Sequence, residues 1–137
     1  MSIDFSQVKT ICVVGLTNNE SRPAYGVASY MQKQGFRIIP VNPKGETVLG
    51  EQGYRSVGDI PRDIQIDVAD YFIRSENVAL LVAEALDRGI KIHWLQEGVS
   101  SQEASKLCRE KGAMIIMDKC IKKEYKKHTG RGVSCDL

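Results

Sequence analysis

The chain lacks any apolar run near the roughly 18 residues that a membrane-crossing helix needs. Residues 1–9 also lack the basic-then-apolar order of a secretion signal. No membrane partner is expected, and the expected compartment is the cytoplasm. Close cysteine pairs are missing: Cys12, Cys108, Cys120 and Cys135 form no C-x-x-C, which points away from a structural zinc site and from the disulfide framework of a small secreted domain. Aromatic residues are scarce at 7% and are not interleaved with basic ones, so no stacking platform for single-stranded nucleic acid is expected. Neither charge dominates, since 19 Lys and Arg stand against 17 Asp and Glu; a nucleic-acid partner is not expected. Histidine is limited to His93 and His128. Neither has a partner at the spacing of a nucleophile triad or a metal site, so no catalytic residue and no metal ligand are assigned.

What is present is the composition of a folded domain, 42% hydrophobic and 26% charged in 137 residues, enough for one core and too little for two catalytic layers. One domain is expected over 1–137, with its core at about 8–127 and a flexible tail from Gly130 to Leu137. Thr10–Gly15 (TICVVG) is β-branched, apolar and closed by glycine, as a strand buried on both faces should be. After a polar loop, Pro23 suits a helix start, and Ala24, Val27, Ala28 and Met31 form an apolar stripe up to Gly35. Phe36–Val41 reads as a second strand in which Pro40 marks an edge or an end. Glycine and proline are dense through 46–62, where one short helix at Ser56–Ile60 is expected.

Ile64–Ile73 then reads as strand three, followed by a helix capped by Ser75 and ending at Gly89. Ile90–Leu95 is strand four, Ser100 and Glu103 have capping-box spacing before another helix, and Ala113–Met117 is strand five. Ile121–His128 closes the series as a short helix. Strands alternating with helices need right-handed crossovers. The expected fold is therefore a Rossmann-like α/β domain, a doubly wound parallel five-stranded sheet with helices on both faces.

Ligands of such sheets bind beyond the carboxyl ends of the strands, where strand order reverses. The loops there hold LTNNESR, NPKG, RS, QEG and DKC. The first leads into a helix N-terminus, which favours an anion; alternatively, Asn19 and Ser21 merely cap that helix. The dinucleotide fingerprint G-x-G-x-x-G fails, because Thr17 and Glu20 stand where glycines are required. Strand two also ends Val41-Asn42-Pro43-Lys44 without the acidic residue that holds a ribose. Lys44 offers a phosphate contact or is a solvated turn lysine.

Val14-Gly15-Leu16-Thr17, Arg22-Pro23-Ala24-Tyr25, Pro40-Val41-Asn42-Pro43-Lys44 and Gln96-Glu97-Gly98 resemble the stand-alone CoA-binding protein family. Those proteins are similar in turn to the amino-terminal Rossmann domain of the succinyl-CoA synthetase alpha subunit and of ADP-forming acyl-CoA synthetases. The resemblance covers about Val8 to Lys127 and implies coenzyme A or acyl-CoA as the cofactor. It implies that Gly15, Thr17, Asn18 and Arg22 approach the phosphates, and that Val41, Asn42, Pro43 and Lys44 hold the nucleotide end. Phe72, Ile73 and Arg74 would flank adenosine or pantetheine, while Gln96, Glu97, Gly98, Lys119 and Cys120 match the later loops. Glu20 is repulsive to a phosphate unless it turns outward or pairs with Arg22.

The synthetase's phosphate-carrying histidine lies in a domain that this chain does not match, so autonomous ligase activity is not expected. The leading function is a non-catalytic CoA sensor, carrier or regulatory module. The alternatives are the CoA-binding subunit of a split acyl-CoA ligase acting with a partner chain and an NAD(P)-binding redox sensor; a homo-oligomer is also compatible. His93 and Trp94 are expected in the core, as are Cys12 and Cys108. The lysines at 119, 122, 123 and 126 line one helix face, read as solvated. Cys120 either is a small residue suited to its turn or has a thiolate favoured by the helix dipole and Lys119, able to form a mixed disulfide with CoA.

Overall fold

A computed structural model of the chain describes residues 3–129. Five strands, β1 (Thr10–Val14), β2 (Arg37–Val41), β3 (Val68–Tyr71), β4 (Ile92–Leu95) and β5 (Met114–Ile116), form one parallel sheet in the order β2-β1-β3-β4-β5. Four helices connect and close it: α1 (Pro23–Lys33), α2 (Ser75–Asp87), α3 (Gln102–Lys111) and α4 (Ile121–Thr129). The expected doubly wound architecture is what the chain adopts. Strand order reverses between β1 and β3, because the chain leaves β1 toward β2 on one side and returns to β3 on the other.

The alternation of side chains along each strand explains the two layers. Ile11, Val13, Ile38, Val68, Trp94 and Ile116 face α1 and α4, meeting Ala24, Ala28, Met31, Ile121 and Tyr125. Cys12, Val14, Ile39, Ala69, Tyr71 and Leu95 face α2 and α3, meeting Val78, Val82, Ala85, Ala104 and Cys108. Each fully buried aliphatic or aromatic side chain contributes about 1.5–3 kcal/mol. The Tyr125 ring is 5.3 Å from both Phe5 and Phe36, which docks α4 and places its start beside the carboxyl ends of the strands. Among the described residues no helix is long and apolar enough to cross a membrane.

Pro40 sits in the edge strand, and its missing N–H falls on the outer side, where its carbonyl instead accepts from Tyr54 N at 3.0 Å. Three local expectations are corrected. Strand three is Val68–Tyr71 rather than Ile64–Ile73, because Ile64 N turns back onto the Pro61 carbonyl and the Asp67 carboxylate takes the N–H groups of Lys9 and Thr10. The cap of α3 is Ser101, whose hydroxyl accepts from Ala104 N at 3.1 Å, and not Ser100. Ser75 is the first residue of α2 rather than its cap, and its hydroxyl accepts from Ser100 N instead. The expected tail Gly130–Leu137, with Cys135, lies outside the described residues.

Candidate functional site

Gly15 stands where β1 and β3 part. Its N–H donates to the Val41 carbonyl at 2.8 Å, its φ is +97°, and a Cβ there would collide with the Phe72 carbonyl oxygen. Glycine is required both by the backbone angle and by that close approach. The gap so created opens into a cleft of about 600 Å³ lined by Gly15, Arg22, Phe72, Ile73, Arg74, Gln96, Glu97 and Cys120, together with Pro23, Ala24, Val27, Asn77 and Val99. A second hollow of about 370 Å³ lies at the same sheet end, formed by Thr17, Asn18, Asn42, Pro43 and Lys44 with Asn19 and Glu46.

Thirteen of the sixteen residues singled out from sequence therefore line these two spaces. Val41, Gly98 and Lys119 do not. Val41 is buried in the core of the α2/α3 face. Gly98 N donates to the Asp118 carboxylate at 2.7 Å, and the Lys119 carbonyl accepts from Trp94 Nε1 at 2.8 Å. Both contacts fix loops around the cleft. Glu20 is exposed and lines neither space. Pro23, Ala24 and Val27 were missed because apolar residues early in a helix read equally well as core, and Val99 because it is an apolar residue in the loop beyond β4; Asn77 carried a signal in its place three positions into a helix that follows a strand end.

The electrostatics favour anions. Neither α1 nor α2 has a side-chain cap; their N-cap residues are Arg22 and Arg74, both exposed at the cleft. Asn19 does not cap α1, because its Oδ1 accepts from Ser21 N and Oγ, at 3.1 Å and 2.5 Å, within the loop. Two helix N-termini with positive dipole ends and no side-chain cap thus border one opening, although Pro23 brings no N–H and the N–H groups of Tyr25 and Asn77 donate back to the Arg22 and Arg74 carbonyls. Among the described residues Arg22, Lys44 and Arg74 form no ion pair. Glu97, the acidic residue of the cleft, is held by Lys123 at 3.0 Å.

Other polar groups shape the site from within. Asn42 is buried, its Nδ2 donating to the carbonyls of Leu16 and Glu46 at 3.0 and 3.2 Å while its Oδ1 accepts from Glu46 N at 2.9 Å. Its amide ties the β1 loop to the β2 loop. Asn18 Nδ2 donates to the Thr47 carbonyl at 2.8 Å. His93 is fully buried: Nε2 donates to the Ile90 carbonyl, so bare Nδ1 accepts from Tyr71 OH, both at 2.9 Å. Burial lowers it to about 4, a neutral core residue with no access to the cleft. Burial pushes the Cys12 thiol up to about 12 and Cys108 to about 11, which leaves half-buried Cys120 as the thiol on the cleft wall. Among the described residues no group of three or more His, Cys, Asp or Glu could hold a metal ion.

Fold and site together define a Rossmann-like domain with a cleft at its strand-order reversal, bordered by two helix N-termini and by Arg22 and Arg74. The CoA binding domain family matches residues 9–126, and the chain belongs to that family. It is 39% identical over 114 residues to the uncharacterized protein YneT of Bacillus subtilis, covering 83% of each. It is 30% identical over 88 residues to the alpha subunit of an ADP-forming acetate–CoA ligase II of Pyrococcus furiosus, covering 64% of this chain and 19% of that protein. A solved hypothetical protein from Pyrococcus horikoshii superposes with a TM-score of 0.85 at 35% identity, over 90% of this chain and 85% of that one.

Proposed function

We propose that the chain, acting as a single domain, binds coenzyme A or an acyl-CoA and performs no chemistry of its own on it. The observation that carries this reading is the pair of helix N-termini without side-chain caps, with Arg22 and Arg74 at their caps, lining one cleft together with Gly15. The pyrophosphate would lie there, near Thr17 and Asn18, with backbone N–H groups as donors. The nucleotide end would extend into the hollow at Asn42, Pro43 and Lys44, where a 3′-phosphate meets the lysine. The pantetheine arm would run between Phe72, Ile73, Gln96 and Glu97 toward Cys120. A nicotinamide dinucleotide fits less well, because the residues directly after β2, Asn42-Pro43-Lys44, include no carboxylate where a ribose would need one.

Supporting the non-catalytic reading, neither histidine lines the cleft, so the chain offers no phosphate-carrying imidazole there. A second reading, the CoA-site subunit of a divided acyl-CoA ligase, is supported by the similarity to a ligase alpha subunit. Mass spectrometry of small molecules released from gently purified protein tests the first: CoA or an acyl-CoA is expected, and retained NAD(P) with no CoA overturns it. Co-purification of an ATP-binding partner chain, with ligase activity only in the mixture, would establish the second.

A further inference from the structure

Asp70, in the middle of β3, is 1% exposed and lies between Val13 of β1 and Trp94 of β4 on the side of the sheet facing α1 and α4. A buried acid of this kind needs a partner or a neutral state. Its partner is the Gln96 amide, at 2.5 Å, and Gln96 lines the cleft. As placed, Gln96 Nε2 donates to Asp70 Oδ1. That separation is shorter than the about 2.7–3.2 Å of an N–H···O bond and falls within the about 2.5–3.0 Å of an O–H···O bond. A carboxamide keeps its shape when its ends are exchanged, so a half-turn of the Gln96 amide lets a neutral Asp70 donate its O–H to Gln96 Oε1.

We propose that Asp70 is a positioning residue of the cofactor cleft: as a neutral acid it donates to Gln96 Oε1 and turns the two Gln96 N–H donors toward a carbonyl of the pantetheine arm or acyl group, and its ionisation reverses the amide. This rests on the CoA reading above. Burial pushes the Asp70 carboxyl from 3.8 up to about 8, against the lowering effect of its hydrogen bond with Gln96. The surroundings add no charge. On this side of the sheet α1 and α4 present Ala24, Ala28 and Ile121, while β1 and β4 present Val13 and Trp94. Cys12, Tyr71 and His93 belong to the opposite face, and Arg22, Cys120 and the Glu97–Lys123 pair lie at the opening. Above pH 8 the ionised acid accepts from Gln96 Nε2, which leaves Oε1 facing a ligand carbonyl and removes one hydrogen bond.

Calorimetric titration with acetyl-CoA, which has no free thiol to ionise, tests this between pH 6.5 and 9. Wild type should bind about three- to tenfold more weakly at pH 9 than at pH 7, the value of one hydrogen bond. Asp70→Asn, whose amide donates to Gln96 at every pH, should hold the pH 7 affinity throughout. Asp70→Leu should show the weakened value at pH 7 while remaining folded by circular dichroism. Adenosine 3′,5′-bisphosphate, which lacks the arm, should bind all three alike. Wild-type affinity for acetyl-CoA that does not change with pH overturns the proposal, as does a parallel decline in wild type and Asp70→Asn. Absence of acetyl-CoA binding at every pH overturns the cofactor reading, and this proposal with it.

Discussion

The two ends of the sheet carry cavities of similar size and opposite character. At the amino end a cavity of about 690 Å³ is lined by Asp4, Arg62, Asp63, Asp67, Arg88 and Lys91 among apolar neighbours, and it is larger than the cleft at the carboxyl end. Several of its polar groups are engaged within the fold, although Arg88 Nε is buried there without a hydrogen-bond partner. Asp67 takes two backbone N–H groups at 2.9 and 3.0 Å, Asp4 takes the Ser6 N–H and hydroxyl, and Arg88 Nη2 donates to the Pro61 and Ile64 carbonyls at 2.7 and 2.9 Å. At the carboxyl end the first turns of two helices have no side-chain cap, and three exposed cations have no ion pair among the described residues. Volume does not distinguish a binding site from a structural joint; what sets the carboxyl end apart is that two helix N-termini without side-chain caps and two arginines converge on one cleft.

The contrast is sharpest at two glycines. Gly15 and Gly89 both have positive φ, +97° and +91°, but only Gly15 has backbone in the way of a Cβ. Gly15→Val should therefore cost about 3 kcal/mol or more and abolish CoA binding. Gly89→Ala should cost about 1 kcal/mol and leave affinity unchanged; urea unfolding and calorimetry measure both. Equal costs would erase the distinction between the two ends.

Charges at the carboxyl end should act on ligand and not on fold. Arg22→Ala and Lys44→Ala should each weaken CoA binding by about 1.5–3 kcal/mol, roughly tenfold to a hundredfold, with melting temperatures within experimental error of wild type. For Lys44→Ala the loss should be smaller with dephospho-CoA, which lacks the 3′-phosphate; equal loss for both ligands would assign the lysine to the pyrophosphate. Asp67→Ala at the amino end should do the reverse. It removes the acceptor of two N–H groups, costing about 1–3 kcal/mol of stability, and should leave the CoA dissociation constant unchanged.

A further contrast comes from two buried groups with opposed pH behaviour. The folded-state value of Asp70, about 8 against an ordinary 3.8, means that the native chain holds an extra proton in that range, so its contribution falls as pH rises. His93, at about 4 against an ordinary 6.5, holds one proton fewer in the native chain, so its contribution rises with pH. The two offset each other between about pH 4 and 6.5. From pH 6.5 to 8 Asp70 acts alone, and stability should fall by about 1.4 kcal/mol per pH unit or less. Urea unfolding across that range should show the decline in wild type and a flat profile in Asp70→Asn; matching slopes in the two proteins would contradict it.

The sheet and its helices were legible because apolar runs such as TICVV are closed by glycine and each helix carries one apolar stripe. The strand ends then directed attention to Gly15, Arg22, Arg74 and Lys44. Strand three was overextended because Ile64 and Ile66 continue the apolar alternation while the chain is held off the sheet by Asp67 and the Pro61 turn, contacts that connect residues far apart in sequence. The choice of Ser101 over Ser100 as a cap depends on the backbone path after Gly98, which neighbouring serines do not reveal. Asp70 drew no attention, since an acid in the middle of a strand acquires meaning only when β4 brings Gln96 beside it.

The central claim is that the carboxyl-end cleft selects CoA over a nicotinamide dinucleotide, and paired thermal-shift measurements with CoA and NADH test it most directly. CoA at about 100 times its dissociation constant should add roughly 2.7 kcal/mol of stability, and NADH at the same concentration should add much less. An equal or larger shift with NADH would contradict the account.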